Sequence, residues 1–165
     1  MRTKFYFLLA AVAMFGFTAC GDPNGPEDSA TIKVYRGEDG SGIEIENNGS
    51  ITVDKIESGE VIFDGYVENV GEDDATMKVK VELNDTAHFS QVLCQGDGTC
   101  LPTNTEYKLA SRAVAPDDIA AFAAHCQPKD KTVAGECPVK YTFYSEENPT
   151  ETITVNVTYK YTPAE

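Results

Sequence analysis

The sequence predicts an all-β domain, an antiparallel β-sandwich of about eight or nine short strands over residues 31–165. Three observations carry that expectation. From Thr31 onward apolar and polar residues alternate with period two, the signature of a strand with one buried face. Clusters of Gly, Asn, Asp and Pro interrupt the alternation at spacings near ten residues. Beyond Thr31, runs with helical period are almost lacking.

Taken in order, Thr31 to Tyr35 and Ile43 to Glu46 read as short strands separated by the turn at Gly37 to Gly40. The Asn47-Asn48-Gly49 turn then predicts a hairpin into Ser50 to Lys55, because Asn and Gly supply the positive φ that tight hairpin turns need. Glu60 to Val70 is a longer strand in which Gly65 marks a candidate bulge. Thr76 to Leu83 is the cleanest half-buried strand, since Met77, Val79, Val81 and Leu83 alternate with Lys78, Lys80 and Glu82. His88 to Leu93 and Glu106 to Val114 follow as further strands.

Ile119 to His125 admits two readings. Pro116-Asp117-Asp118 before an Ala-rich run suits a helix start. The surrounding β pattern favours a strand with Ile119, Ala121 and Ala123 on one face. Val139 to Tyr144 and Thr152 to Tyr161, rich in β-branched and aromatic residues, form the last two strands around the loop Glu146 to Pro149.

The first thirty residues differ in kind. Arg2 and Lys4 precede an apolar run from Phe5 to Phe17, and Thr18 and Ala19 lead into Cys20. Charge, apolar core and small residues in that order make a secretory signal over residues 1–19. The apolar run falls short of the ~20 residues that a bilayer-spanning helix needs. Phe17-Thr18-Ala19-Cys20 resembles a bacterial lipobox, with Phe where Leu is usual, a departure met in lipoproteins of the Bacteroidetes. The resemblance implies cleavage before Cys20 and a lipid anchor on its sulfur, on the outer membrane at its cell-surface or periplasmic face. Residues 20–30 are polar and proline-bearing, a flexible tether from lipid to domain.

The chain carries a formal charge of −14, and cleavage at Cys20 would also remove Arg2 and Lys4. A surface this acidic repels phosphate backbones and anionic headgroups, so nucleic acid is not an expected partner. Membrane contact is expected through the N-terminal lipid rather than through charge.

Beyond Cys20, four cysteines remain, an even count that in an exported protein points to disulfides. Three connectivities are possible. Local pairing, Cys94–Cys100 and Cys126–Cys137, is expected because each pair brackets a polar, Gly-containing loop.

Gly65-Tyr66-Val67-Glu68-Asn69-Val70-Gly71 followed by Met77 to Leu83 resembles the paired central strands of secreted bacterial immunoglobulin-like domains. Phe89, Cys94, Cys100-Leu101-Pro102, His125 and Val139 to Tyr144 continue the likeness to modules of exported Bacteroidetes proteins, from about Glu60 to Tyr161. The resemblance implies an immunoglobulin-like sandwich and an adhesive, spacer or partner-binding role. It implies no particular ligand. The chain has no tryptophan to fill the core position of antibody domains.

Chemistry finds little footing. His88 and His125 are the only near-neutral acid–base groups, and no nucleophile elbow or catalytic cysteine motif accompanies them. The cysteine spacings lack the short knuckles of a zinc site. Neither Glu38-Asp39 nor Glu72-Asp73-Asp74 has the ligand order of a calcium loop. No catalytic residue, metal or cofactor is expected. Asp28-Ser29-Ala30 and Asp85-Thr86-Ala87 match an O-glycosylation motif of exported Bacteroidetes proteins, which makes Ser29 and Thr86 candidate sugar sites.

The function expected is a non-enzymatic accessory or protein-binding module, with the two cysteine loops as its recognition face if they lie at the same end of the sandwich. A surface adhesin or carbohydrate-binding module, needing exposed tyrosines, and an inhibitor of an exported enzyme are the alternatives. The partner, protein or glycan, is not identified by sequence.

Overall fold

A computed structural model describes residues 31–37, 40–102 and 106–164. The signal, Cys20, Ser29 and the tether therefore lie outside the described residues. What is described is an all-β, immunoglobulin-like sandwich of two sheets.

The first sheet has the order β2 (Ile43–Ile45), β1 (Ile32–Arg36), β5 (Glu60–Asn69), β10 (Ile119–Pro128), β7 (Phe89–Gln95) and β8 (Cys100–Pro102), with β4 (Ile56–Glu57) pairing beside β5. The second runs β3 (Gly49–Val53), β12 (Ile153–Tyr161), β11 (Gly135–Ser145), β6 (Met77–Leu83) and β9 (Glu106–Lys108). All neighbours are antiparallel except β3, which lies parallel to β12.

Period-two patterning builds the core. Met77, Val79, Val81 and Leu83 are buried on β6 while Lys78, Lys80 and Glu82 face outward. On β10 the inward set is Ala120, Phe122, Ala124 and Cys126, and Ile119, Ala121 and Ala123 take the outer face. The strand reading of this Ala-rich run prevails because β10 is hydrogen-bonded on both sides, to β5 and to β7. Local helix propensity is worth only tenths of a kcal/mol per residue, too little to outweigh two ladders and a buried face. Asp117, at φ 60°, makes the turn into this strand by donating its N–H to the Asn69 carbonyl.

Aromatic rings join the sheets. Phe63 meets Phe122 edge-on at 5.5 Å and Tyr141 at 6.1 Å, and Phe122 lies 5.4 Å from Phe143. Such pairs contribute about 0.5–1.5 kcal/mol each beyond the area they bury. Gly65 serves this packing. It pairs with Phe122 in an unbroken register from Glu68 to Val61, so the expected bulge is not there. A Cβ on Gly65 would come within 2.7 Å of the Phe122 ring, and the glycine makes room for it.

Three other expectations are corrected. Asn47-Asn48-Gly49 is not a hairpin turn but a corner between sheets: β2 stays beside β1, and β3 joins β12. Asn48 does take the positive φ, 62°, but its N–H and the Asn47 side chain bond to Thr154 of the other sheet. The tight hairpin falls instead at Ser58-Gly59, both at positive φ, between β4 and β5. The strands β5 and β6 that carry the immunoglobulin-like motif lie in opposite sheets and are not paired. Finally, Glu106 to Val114 keeps only three residues as strand, plus a bridge from Val114 to Ala75.

The register defines two ends. Thr31 enters at one, together with the ends of β5 and β7 and the start of β10. There its N–H and Oγ1 donate to the Glu151 carboxylate at 2.7 Å each. At the far end lie the starts of β5, β7 and β11 and the ends of β6, β10 and β12.

Candidate functional site

The far end holds a cleft of about 430 Å³ between two connections that cross from sheet to sheet, residues 84–88 and residues 129–134. Its floor is apolar: Phe89, Pro128 and Gly135, with Ala87, Val133 and Ala134 on the walls. Phe89 sits at the start of β7 with its ring nearly buried, and a Cβ on Gly135 would come within 3.1 Å of that ring. Val133, on the second wall, is 59% exposed.

Both walls are preorganised. The Asp85 carboxylate accepts from the His88 N–H at 3.1 Å and contacts the His88 Nδ1 at 3.0 Å. These hydrogen bonds from His88 hold the Asp85 carboxyl below its ordinary value. Asp130 accepts from the hydroxyl and N–H of Thr132, which depresses its carboxyl as well. Lys129 clamps one wall to the other, its N–H donating to the His88 carbonyl at 2.8 Å and its Nζ to the Thr86 carbonyl at 2.6 Å. The Tyr161 hydroxyl donates to the Lys131 carbonyl and ties the second wall to β12. Thr86, a candidate sugar site, is exposed on the first wall.

The two cysteine pairs do not meet. Cys94 and Cys100 are joined by a disulfide where β7 turns into β8, at the Thr31 end. Cys126 and Cys137 bracket the far-end loop; Cys126 is three residues along β10 from Ala123, the partner of Cys94, ~10 Å at ~3.3 Å per residue, and the two loops leave the sheets at opposite ends. The expected recognition face of two adjacent cysteine loops is therefore overturned by the register of β7 on β10.

Cys126 and Cys137 carry free thiols, not a disulfide. Nor do they clasp the loop from outside. They face each other across the sandwich, fully buried, one on each sheet, because the loop between them is the crossing from β10 to β11. A hydrogen bond with Cys137 and burial push the Cys126 thiol up, far from the range of a reactive thiolate. Tyr141 and Tyr159 lie beside them with hydroxyls 2.5 Å apart, and burial pushes both phenols well up.

The histidines are equally separate. His88 belongs to the cleft, whereas His125 is on the outer face of β10, its Nδ1 3.0 Å from Glu60. His125 does not line the cleft. No group of three or more His, Cys, Asp or Glu among the described residues is placed to hold a metal ion. The tyrosines offer no common sugar platform. Tyr66, Tyr107, Tyr159 and Tyr161 are buried, and Tyr35 and Tyr144 are half-buried on opposite sheets. One face of Tyr35 is covered by Tyr66, stacked at 4.8 Å.

Sequence reasoning missed Val133, Lys129 and Ala87. The available signal was the Val133-Ala134 pair inside an otherwise polar loop.

No family model matches the chain, and no curated protein does. A solved structure shares the fold. The N-terminal domain of PorA superimposes with a TM-score of 0.60 at 19% identity, over 81% of this chain and 99% of that one. The PapD-like domain 7 of human CEP192 gives 0.42 at 12% identity over the whole of both chains. A conjugative transposon lipoprotein from Bacteroides eggerthii gives 0.42 at 8% identity, over 81% and 98%. At 19% identity the likeness to the PorA domain is one of fold. Among the described residues no helix is long and apolar enough to cross a membrane.

Proposed function

We propose that this chain is a non-enzymatic binding module of the cell envelope, held on the outer membrane by lipid at Cys20, with its recognition site at the far-end cleft. One observation carries the reading: the cleft opens at the opposite end from Thr31, where the tether joins the domain. Lipidation confines the domain to a surface, and the far-end loops then point away from it. An enzyme is disfavoured because the acid–base groups sit apart and the thiols are buried. The sugar-binding alternative loses support with the tyrosines buried or divided between the sheets. A glycan on Thr86 would stand at the mouth of the cleft, and Ser29 would carry one on the tether.

We infer also that Cys126 and Cys137 close into a cross-sheet disulfide on export. The bond forms by thiol–disulfide exchange with an oxidised dithiol oxidoreductase of the envelope, which takes both electrons and both protons and leaves as its reduced dithiol. Facing positions in the core leave the two sulfurs little to move.

The reading is tested on intact cells with a photo-cross-linking residue placed at Val133 in one strain and at Asp97, in the Cys94–Cys100 loop, in another. Envelope adducts from Val133 and none from Asp97 are expected, and the reverse pattern would sink the assignment of the site. Intact mass of the purified protein should show lipid on Cys20. An unlipidated N-terminus contradicts the anchor.

A further inference from the structure

We propose that the far-end cleft binds an extended peptide segment of a partner protein, through an aliphatic or aromatic side chain flanked by lysine or arginine. The inference deepens the binding-module reading above and rests on it.

Size and lining set the apolar part. A volume of about 430 Å³ over Phe89, Pro128 and Val133 suits one or two large side chains and is small for a folded surface. Val133 is aliphatic surface left in water, and covering it contributes on the order of 25 cal/mol per Å² of apolar area. The clamp of Lys129 on His88 and Thr86 means that the walls need no ordering on binding, which spares an entropic cost.

Charge sets the flanks. The lining carries three carboxylates, Asp85, Asp130 and Glu136, and the ammonium of Lys129; Glu136 pairs with Lys160 at 3.1 Å, which leaves Asp85 and Asp130 as the acidic groups of the two walls. The Lys129 ammonium is directed at a backbone carbonyl inside the wall rather than at the cleft mouth. A net charge of −14 adds a long-range field that draws cations and repels acidic chains. The same field disfavours a second copy of this chain as the occupant. A peptide flanked by lysine or arginine gains attraction at the rim while its apolar side chain fills the floor, so the two parts of the cleft select one amphipathic pattern.

The test uses the detergent-solubilised full-length protein and three fluorescein-labelled peptides. The first is Gly-Lys-Arg-Leu-Phe-Lys-Arg-Gly, the second replaces its four cations with Glu, and the third replaces Leu and Phe with Ser. The first should bind in the micromolar to sub-millimolar range, on the order of −5 to −8 kcal/mol. The other two should bind at least tenfold more weakly. Raising salt from 50 to 500 mM should weaken the first several-fold by screening. Ala87→Trp fills the cleft and Val133→Ser strips its apolar wall, and either should cost at least tenfold. Both positions are exposed, so the melting temperature should hold. Equal binding of all three peptides, or full binding by Ala87→Trp, overturns the proposal. No binding by any peptide while Val133 still yields adducts on cells overturns the ligand class and leaves the module reading standing. Loss of both removes the two together.

Discussion

The two ends of the sandwich are built from similar parts and differ in what those parts do. At the Thr31 end a cysteine pair closes a surface turn beside the entry of the chain, and Glu151 fastens that entry. At the far end the second cysteine pair is sunk in the core, and the loop above it forms one wall of an apolar cleft. The lesson is topological. A hairpin loop such as Gln95 to Thr99 leaves its flanking residues on one sheet. A loop that crosses between sheets aims the inward residues on either side of it at each other.

That difference predicts unequal effects of removing sulfur. In the exported protein, replacing both Cys126 and Cys137 with Ala should lower stability by about 3–5 kcal/mol, since it removes the proposed bridge and leaves a core void. The matching Cys94/Cys100 double variant should lose about 2 kcal/mol, because the loop is short and its sulfurs are at the surface. Denaturant melts of the two variants decide it, and equal losses would erase the contrast. Mass analysis under non-reducing conditions should count both bridges in the exported protein.

Next in size is the fastening of the chain entry. Glu151→Ala removes two hydrogen bonds to Thr31 in a half-buried setting, an expected loss of about 1–2 kcal/mol. Amide exchange at the start of β1 should accelerate while the amides of residues 129–135 keep their rates. Acceleration at the far end instead would mean that the ends do not behave independently.

Smallest is a pH effect confined to the cleft walls. The carboxyls of Asp85 and Asp130 are depressed on folding, so their contribution is present above the ordinary aspartate value of about 4 and is lost as pH falls through the lower folded values. The His88 and Thr132 amides, which these carboxylates cap, should lose protection below pH 4 before the core unfolds. Unchanged amide shifts down to the acid transition would mean that the caps are not what orders the walls.

Much of the fold was legible because alternation is a local signal. Met77 to Leu83 announces its buried face residue by residue, and the strands from Val139 and Thr152 do the same. Partnership is not local. The Asn47-Asn48-Gly49 turn is visible in the residues, yet whether it returns to its own sheet depends on Thr154, more than a hundred residues later. Ile119 to His125 could not be settled from its own composition because β5 and β7 decide it from both sides. The site was less legible than the fold. Each cysteine loop could be recognised singly, but their separation follows from strand register. Val133 gains meaning only once residues 84–88 are seen across from it.

The measurement that tests the central claim most directly is an amide-resolved NMR titration of the full-length protein with the cationic peptide. The account predicts shifts at Ala87, His88 and residues 129–135, with Gln95 to Cys100 and Thr31 unmoved. Shifts gathered around the Cys94–Cys100 turn, with the far end silent, would contradict it.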